Sequence, residues 1–160
     1  MEKVNDIYQF NLKLLRGIGI EFKEWRHEPI LDFATDERVA TQLGWTGTHS
    51  KSLFLKLKGS GYALFLTDKD SRLASKTIKQ LLGKKPEICG NNEMTEVIGC
   101  LPGAVCPFGL PEEIPLIVDK RLYQHRELLY TPGDPQATIG ISGTALQQIL
   151  TRLTNPIFEI

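Results

Sequence analysis

The run Pro102-Gly-Ala-Val-Cys-Pro107, with Phe108-Gly-Leu110 behind it, constrains this chain more than any other segment. Proline fixes φ and withdraws an amide donor, while glycine permits a positive φ or a close approach. The segment therefore reads as a loop of fixed shape, able to present its remaining N–H and C=O groups to a small polar ligand. Its partner candidate is Lys51, at the head of the apolar stretch Lys51-Ser-Leu-Phe-Leu-Lys56. A lysine at a strand end facing such a loop suggests a pocket for a small anion or ester. The plainer alternative is a structural turn beside a solvated lysine.

The chain has 160 residues, enough for one domain with its own core, and we read 1–160 as a single domain. No apolar run approaches the roughly 20 residues of a membrane helix. The opening Met1–Asp6 is polar, with no apolar leader segment behind it, so a cytoplasmic protein is expected, with no membrane partner. Cys89, Cys100 and Cys106 are an odd set in a chain able to build a core, which argues against a disulfide scaffold. His27, His49 and His125 stand far apart, and neither a metal site nor an organic cofactor is expected.

Formal net charge is zero, yet the charge is segregated. Between Lys51 and Lys85 there are nine basic residues against two acids, so this segment carries +7. Such a field can steer a phosphate backbone even when the total is neutral. A solvated face with acidic neighbours is the competing reading.

Along the chain, Asn5 can cap a helix to about Arg16, with Ile7, Phe10, Leu14 and Leu15 inward and Gly17 ending it. Residues 20–25 alternate as a strand, and Thr35 opens a helix that stops at Gly44. Residues 53–57 and 62–66 flank Lys58-Gly-Ser-Gly61 as a hairpin. Asp70 or Ser71 can cap a helix that repeats Ala74, Ile78, Leu81 and Leu82 before Gly83. On it, Arg72, Lys76 and Lys79 would form one exposed stripe. A brief helix over 93–97, strands over 114–118, 127–130 and 137–141, and a closing helix capped by Ser142 or Thr144 complete the pattern. The class expected is α/β: a single domain with a mixed, partly barrel-like β-sheet surrounded by helices.

Several familiar chemistries are excluded. Gly59-Ser-Gly61 is too short for a phosphate-binding P-loop, and no Gly-x-Ser-x-Gly elbow exists. Cys106 is a candidate nucleophile only if the fold brings a base such as His49 or His125 to it, since Val105 and Pro107 supply none. A pocket-wall role is the simpler reading.

Lys51-Ser-Leu, then Gly-x-x-x-Pro with Phe-Gly over 103–109, then Ala137-Thr138 before Ser142, resembles the YbaK/prolyl-tRNA-synthetase editing domain family. These are aminoacyl-tRNA deacylases, and the resemblance spans roughly residues 9–153. It implies a hydrolase acting in trans on the ester of a mischarged tRNA carrying a small amino acid. The partner would be the acceptor end of that tRNA, with an aminoacyl-tRNA synthetase as a further candidate and no DNA. Lys51 matches the family lysine that lies by the terminal adenosine and phosphate. Gly103 and Pro107 match the loop cradling the ester, where a backbone N–H of Gly103 or Ala104 would steady charge on the ester oxygen. Leu53, Val105, Cys106 and Phe108 would wall the pocket by size, and Thr131, Thr138 and Ser142 are candidates for a placed polar contact. Lys56, Arg72, Lys76 and Lys79 would track the tRNA.

Members of the family that edit alanine carry a histidine followed by proline, with an asparagine a few residues on. Here Thr131 stands at the histidine position and Pro135 near the asparagine, so the resemblance does not extend to alanine selectivity. Water attack would then depend on orientation, the neighbouring ribose hydroxyl and the loop amides. The alternative is a catalytically silent module on the same scaffold that binds aminoacyl-tRNA or a synthetase. A cysteine-dependent hydrolase of small metabolites is a third class.

Overall fold

The computed structural model describes residues 2–160. In chain order the elements are α1 (Glu2–Ile18), β1 (Lys23–Arg26), α2 (Phe33–Leu43), β2 (Thr48–Leu57), β3 (Tyr62–Asp68), α3 (Ser75–Leu82), β4 (Pro86–Ile88) and α4 (Asn91–Ile98). After the Gly-Pro loop come β5 (Leu116–Val118), a 3-10 helix (Lys120–Gln124), β6 (Leu128–Tyr130), β7 (Ala137–Ile141), α5 (Gly143–Leu150) and β8 (Ile157–Glu159). The sheet is mixed and runs β1-β7-β6-β2-β3-β5-β8, with β4 added to β2.

One strand organises this path. β2 pairs in parallel with β6 through Thr48 and His49, antiparallel with β3 from Ser50 to Lys56, and antiparallel with β4 from Leu55 to Leu57. Between the β6 and β4 registers, residues 50–53 have no strand on that edge among the described residues. Lys51 sits beside this gap, four residues into the strand rather than at its start.

Strand alternation divides the apolar residues between two cores. Phe54, Leu64, Leu66, Leu116 and Val118 face the larger one, with Leu12 and Leu15 of α1, Ile98 of α4 and Leu146 and Ile149 of α5. Leu55, Leu57, Ala63, Phe65 and Ile117 face the other side and meet Ile78 of α3. Because both faces are covered, Ala63–Leu66 reads as an unbroken apolar run instead of alternating. Fully burying Ile78 stabilises the α3 contact by about 1.5–3 kcal/mol.

The larger core is built around a polar node. Asn11 of α1 has no exposed surface. Its amide nitrogen donates to the Ile7 carbonyl at 2.9 Å, the Phe108 carbonyl at 3.2 Å and Cys106 Sγ at 3.3 Å. Its oxygen accepts from the buried Tyr130 hydroxyl at 3.0 Å. One side chain thus fastens α1, the Gly-Pro loop and the end of β6. Burial first, and the neighbouring Cys106 thiol second, keep the Tyr130 phenol protonated far above its ordinary range.

Several helix boundaries differ from the sequence pattern. Asn5 lies inside α1, which ends at Ile18 with Gly19 at φ 82°, and Phe10 is exposed while Val4 and Leu12 are buried. α2 starts two residues before Thr35, because Asp32 accepts the Thr35 amide as its cap. Neither Asp70 nor Ser71 caps α3. Asp68 instead gathers the Asp70 amide and the Ser71 hydroxyl into a turn, and the helix begins only at Ser75. Arg72 therefore stands outside α3, and the three-residue stripe reduces to Lys76 and Lys79. Ser142 caps α5 through the Ala145 amide at 3.0 Å.

At the end of β5, buried Asp119 accepts from the Thr67 hydroxyl at 2.8 Å and from Arg121 Nη2 at 2.6 Å. Burial alone would raise its carboxyl, but the Arg121 and Thr67 hydrogen bonds outweigh that and hold it below the ordinary carboxylate value. Its stability contribution is therefore complete above about pH 4 and is lost as pH falls through the lowered folded value. Asp119→Asn should flatten the acid limb of a stability-against-pH curve measured by urea denaturation. An unchanged limb would contradict this account. Asn11→Leu, which leaves the Tyr130 hydroxyl buried without its acceptor and the Phe108 carbonyl with only the weak Cys106 thiol donor, should lower unfolding free energy by about 2–4 kcal/mol, and Tyr130→Phe by about 1–2 kcal/mol.

Candidate active site

A cleft of about 320 Å³ opens where α2, the upper half of β2 and the Gly-Pro loop converge. That size falls within the range of small-molecule sites. Lys51, Gly103, Val105, Thr131 and Thr138, drawn from four separate segments, all line it. The loop is held there by a contact only glycine allows. Gly103 has φ 85°, and a Cβ on it would lie 2.1 Å from the Leu31 carbonyl oxygen. Leu31 leads through the Asp32 cap into α2, so the loop forms one lip of the cleft and the α2 entry the other.

The cleft is electrostatically divided. Lys51 and Lys69 line it and form no ion pair among the described residues. Lys69 Nζ stands 5.6 Å from the centre of the Phe33 ring, which is 59% exposed at the mouth. Asp32 is the acid of the outer lip, its carboxyl held below the ordinary range by the Thr35 backbone amide and hydroxyl. Deeper in, His49 Nδ1 meets Asp36 Oδ2 at 2.8 Å. Behind His49 stands a cluster in which Trp45 lies 5.7 Å from both His49 and His27 and 5.4 Å from Trp25.

Other candidates fall elsewhere. Leu53 points into the α3 core, on the opposite face of the sheet from Phe54. Cys106 is 1% exposed and bonded to Asn11 and to the Phe108 carbonyl. Burial, then the neighbouring Cys100, pushes its thiol well above the ordinary range, so it is neither a pocket wall nor an accessible nucleophile. Phe108 packs edge-on against Tyr130 in the core, and Pro107 lines a small internal void with it. Ala104 is fully buried and its N–H donates to the Leu101 carbonyl at 3.0 Å, leaving nothing for a ligand. The Gly103 amide, by contrast, makes no backbone hydrogen bond among the described residues. Ser142 is engaged at the α5 cap and borders a separate surface hollow with Lys23 and Arg126. Lys56 turns to Glu93 of α4 at 3.1 Å.

Asp32, Phe33, Asp36, His49, Ser50 and Lys69 join the cleft without having been singled out by motif. A signal for His49 was present: it stands two residues before Lys51, so a strand beginning at Thr48 places both on one face.

Comparison with known proteins defines the class. Residues 31–149 match the family described as the aminoacyl-tRNA editing domain. The chain belongs to that family and is by class an aminoacyl-tRNA deacylase, a hydrolase of ester bonds. Among its relatives, the prolyl-tRNA editing protein ProX of Acetoanaerobium sticklandii is 25% identical over 151 residues, covering 91% of each chain. The multifunctional Ser/Thr-tRNA deacylase ProXp-y of Escherichia coli K12 is 28% identical over 140 residues, covering 83% of this chain and 81% of its own. YwhH of Bacillus subtilis, described as uncharacterized, is 26% identical over 140 residues, covering 84% and 89%. The fold is shared with the hypothetical protein APE2540, at TM-score 0.75 and 22% identity over 92% of this chain and 95% of that one. It is also shared with a proposed trans-editing enzyme for prolyl-tRNA synthetase, at TM-score 0.70 and 20% identity over 96% and 95%. No helix among the described residues is long and apolar enough to cross a membrane.

Gly103→Ala must both adopt a left-handed φ and displace the Leu31 backbone. It should lower unfolding free energy by about 2 kcal/mol or more. A chemical melt within experimental error of the parent protein would show that the two lips do not depend on this contact.

Proposed function

We propose that this chain removes a small, wrongly attached amino acid from tRNA in trans, in the compartment where tRNA is charged, the cytoplasm. The observation that carries the reading is the meeting in one cleft of Lys51 and the Gly103 amide, the first without an ion pair and the second without a backbone hydrogen bond among the described residues. Lys51 binds a phosphate or ribose oxygen of the terminal nucleotide as a fixed positive charge. Water attacks the ester carbonyl carbon, assisted by the neighbouring ribose hydroxyl, and the Gly103 N–H donates to the oxygen on which negative charge develops. The carbon–oxygen bond to the ribose then breaks, and the ribose oxygen takes a proton.

Val105, Ile30 and Thr131 close the cleft around the amino-acid side chain and favour a small one. Lys69 at the mouth, then Arg72, Lys76 and Lys79 along the exposed segment beyond it, give the acceptor end a positive track. Lys56 is outside that track, held by Glu93.

The test is a panel of misacylated tRNAs. Lys51→Ala should reduce kcat/KM by about 100-fold or more while far-UV circular dichroism stays that of the parent. Cys106→Ser should keep turnover. Full activity in folded Lys51→Ala would overturn the mechanism. Salt-sensitive tRNA binding with no hydrolysis of any ester would instead identify a silent binding module.

A further inference from the structure

Strand alternation puts Lys51 on the same face of the sheet as Leu53, Leu55 and Leu57, the face that α3 covers. The cleft and α3 therefore lie side by side along β2, the cleft at its beginning and α3 towards its end. The outer side of α3 and the turn behind it carry charge of one sign. From Ser71 to Pro86 the chain holds Arg72, Lys76, Lys79, Lys84 and Lys85 and no acid. All five are exposed, and none forms an ion pair among the described residues.

The tip of the β2–β3 hairpin extends this surface. Lys84 Nζ donates to the Ser60 carbonyl at 2.8 Å, and the Lys58 amide donates to the Lys85 carbonyl at 2.9 Å, which fastens the tip to the end of α3. Lys58 is exposed there. The neighbouring acids look the other way. Glu87 is the register partner of Lys56, one residue out of phase with Leu55 and Leu57, so it stands on the opposite face, where Glu93 also meets Lys56. Lys58 follows Lys51 by seven residues of extended chain, about 23 Å. A duplex lying along that length passes about six or seven phosphates of one strand, at roughly 3.4 Å of axis per phosphate.

The composition of this surface selects among nucleic acids. Sites for single strands interleave basic groups with aromatic platforms on which bases stack. Residues 58–61 and 71–86 contain no Phe, Tyr, Trp or His. Such a surface can grip phosphates alone, which are what a duplex with its bases stacked inside presents. An exposed aromatic does stand at the cleft mouth, Phe33, where an unpaired end would enter.

We propose that α3 and the hairpin tip form a docking surface for an RNA duplex, gripped through its phosphates, and that the chain consequently prefers an ester at the end of a duplex stem to the same ester on a single strand. That the duplex is RNA, with its 3′ end in the cleft, rests on the deacylase reading above.

The probes are a deacylated RNA hairpin with an unpaired 3′ end and the 3′ strand alone, each carrying a fluorophore, with binding followed by anisotropy over a range of salt. The hairpin should bind about 10-fold or more tightly than the single strand, and its affinity should fall steeply as salt rises. Lys79→Gln with Lys85→Gln should lower the slope of log affinity against log salt by about two, one for each lysine, and narrow the hairpin preference. Lys13→Gln with Arg152→Gln makes the same change of charge on exposed residues over the face that α1 and α5 cover, and should leave slope and preference in place. Circular dichroism melts check that both double variants fold, and the comparison of the two RNAs on the parent protein needs no variant. Equal affinity for the two RNAs, or equal effects of the two double variants, would overturn the inference. Lysine-dependent binding to phosphatidylserine vesicles with none to the hairpin would overturn it in favour of a membrane surface. Duplex preference with no hydrolysis of any misacylated tRNA would sink the deacylase reading and leave the docking surface standing. Equal hydrolysis of aminoacylated hairpin and aminoacylated single strand would do the reverse.

Discussion

The carboxamide of Asn11 is the contact on which the cleft depends. It is buried without exposure in an apolar core, where an unsatisfied amide would be strongly unfavourable, and it is satisfied only by partners from three separate parts of the chain. Two of those partners, Cys106 and Phe108, lie in the Gly-Pro loop immediately after Gly103 and Val105. A third, Tyr130, immediately precedes Thr131, and the fourth, the Ile7 carbonyl, belongs to α1 itself. The node meets the cleft lining only at Tyr130, yet it fixes the two backbone segments that carry Gly103, Val105 and Thr131.

A second constraint is the way β2 is shared. Its first residues belong with β6, its last with β4, and the stretch between lacks a neighbour on one edge among the described residues. Such an edge would invite pairing with another chain if left open. Here the loop residues Pro107 and Phe108 pack beside Ser50, and the Ser50 hydroxyl reaches the Leu129 carbonyl, so the opening is closed from within. The cleft is what remains on the other side of that closure, bounded by His49 and Lys51.

Much of this was legible in the residues. The helices around 2–18, 33–43 and 143–150, the hairpin at Lys58–Gly61 and the mixed α/β class follow from period, caps and glycine stops. The misread α3 start shows where local rules give out. Asp70 and Ser71 are good caps by residue type, but Asp68 outcompetes them, and which aspartate wins depends on Arg121 approaching from fifty residues away. β4, β8 and the 3-10 helix are three to five residues long and carry no periodic signal of their own; tertiary pairing creates them. In the site, Lys51 and Gly103 stood out by spacing, whereas Leu53 looked like a wall because sequence does not say which side of a sheet faces the core, and Cys106 and Phe108 did because it does not show that Asn11 draws the loop inward. His27 and His49 were invisible as a pair of neighbours to Trp45, since their proximity is made by β1, α2 and β2 folding together.

The parallel register of β2 with β6 has a consequence for how the protein comes into being. Thr48 pairs with Leu128, so the strand carrying Lys51 must wait for most of the chain before its neighbour exists. Contacts of such long separation close late, because their loop entropy is met only after local pieces have formed. During synthesis, the hairpin of β2 and β3 can assemble early, but a nascent chain has no complete cleft until β6 and β7 have emerged from the ribosome. The cleft of an aminoacyl-tRNA deacylase is thereby among the last parts of the fold to be completed.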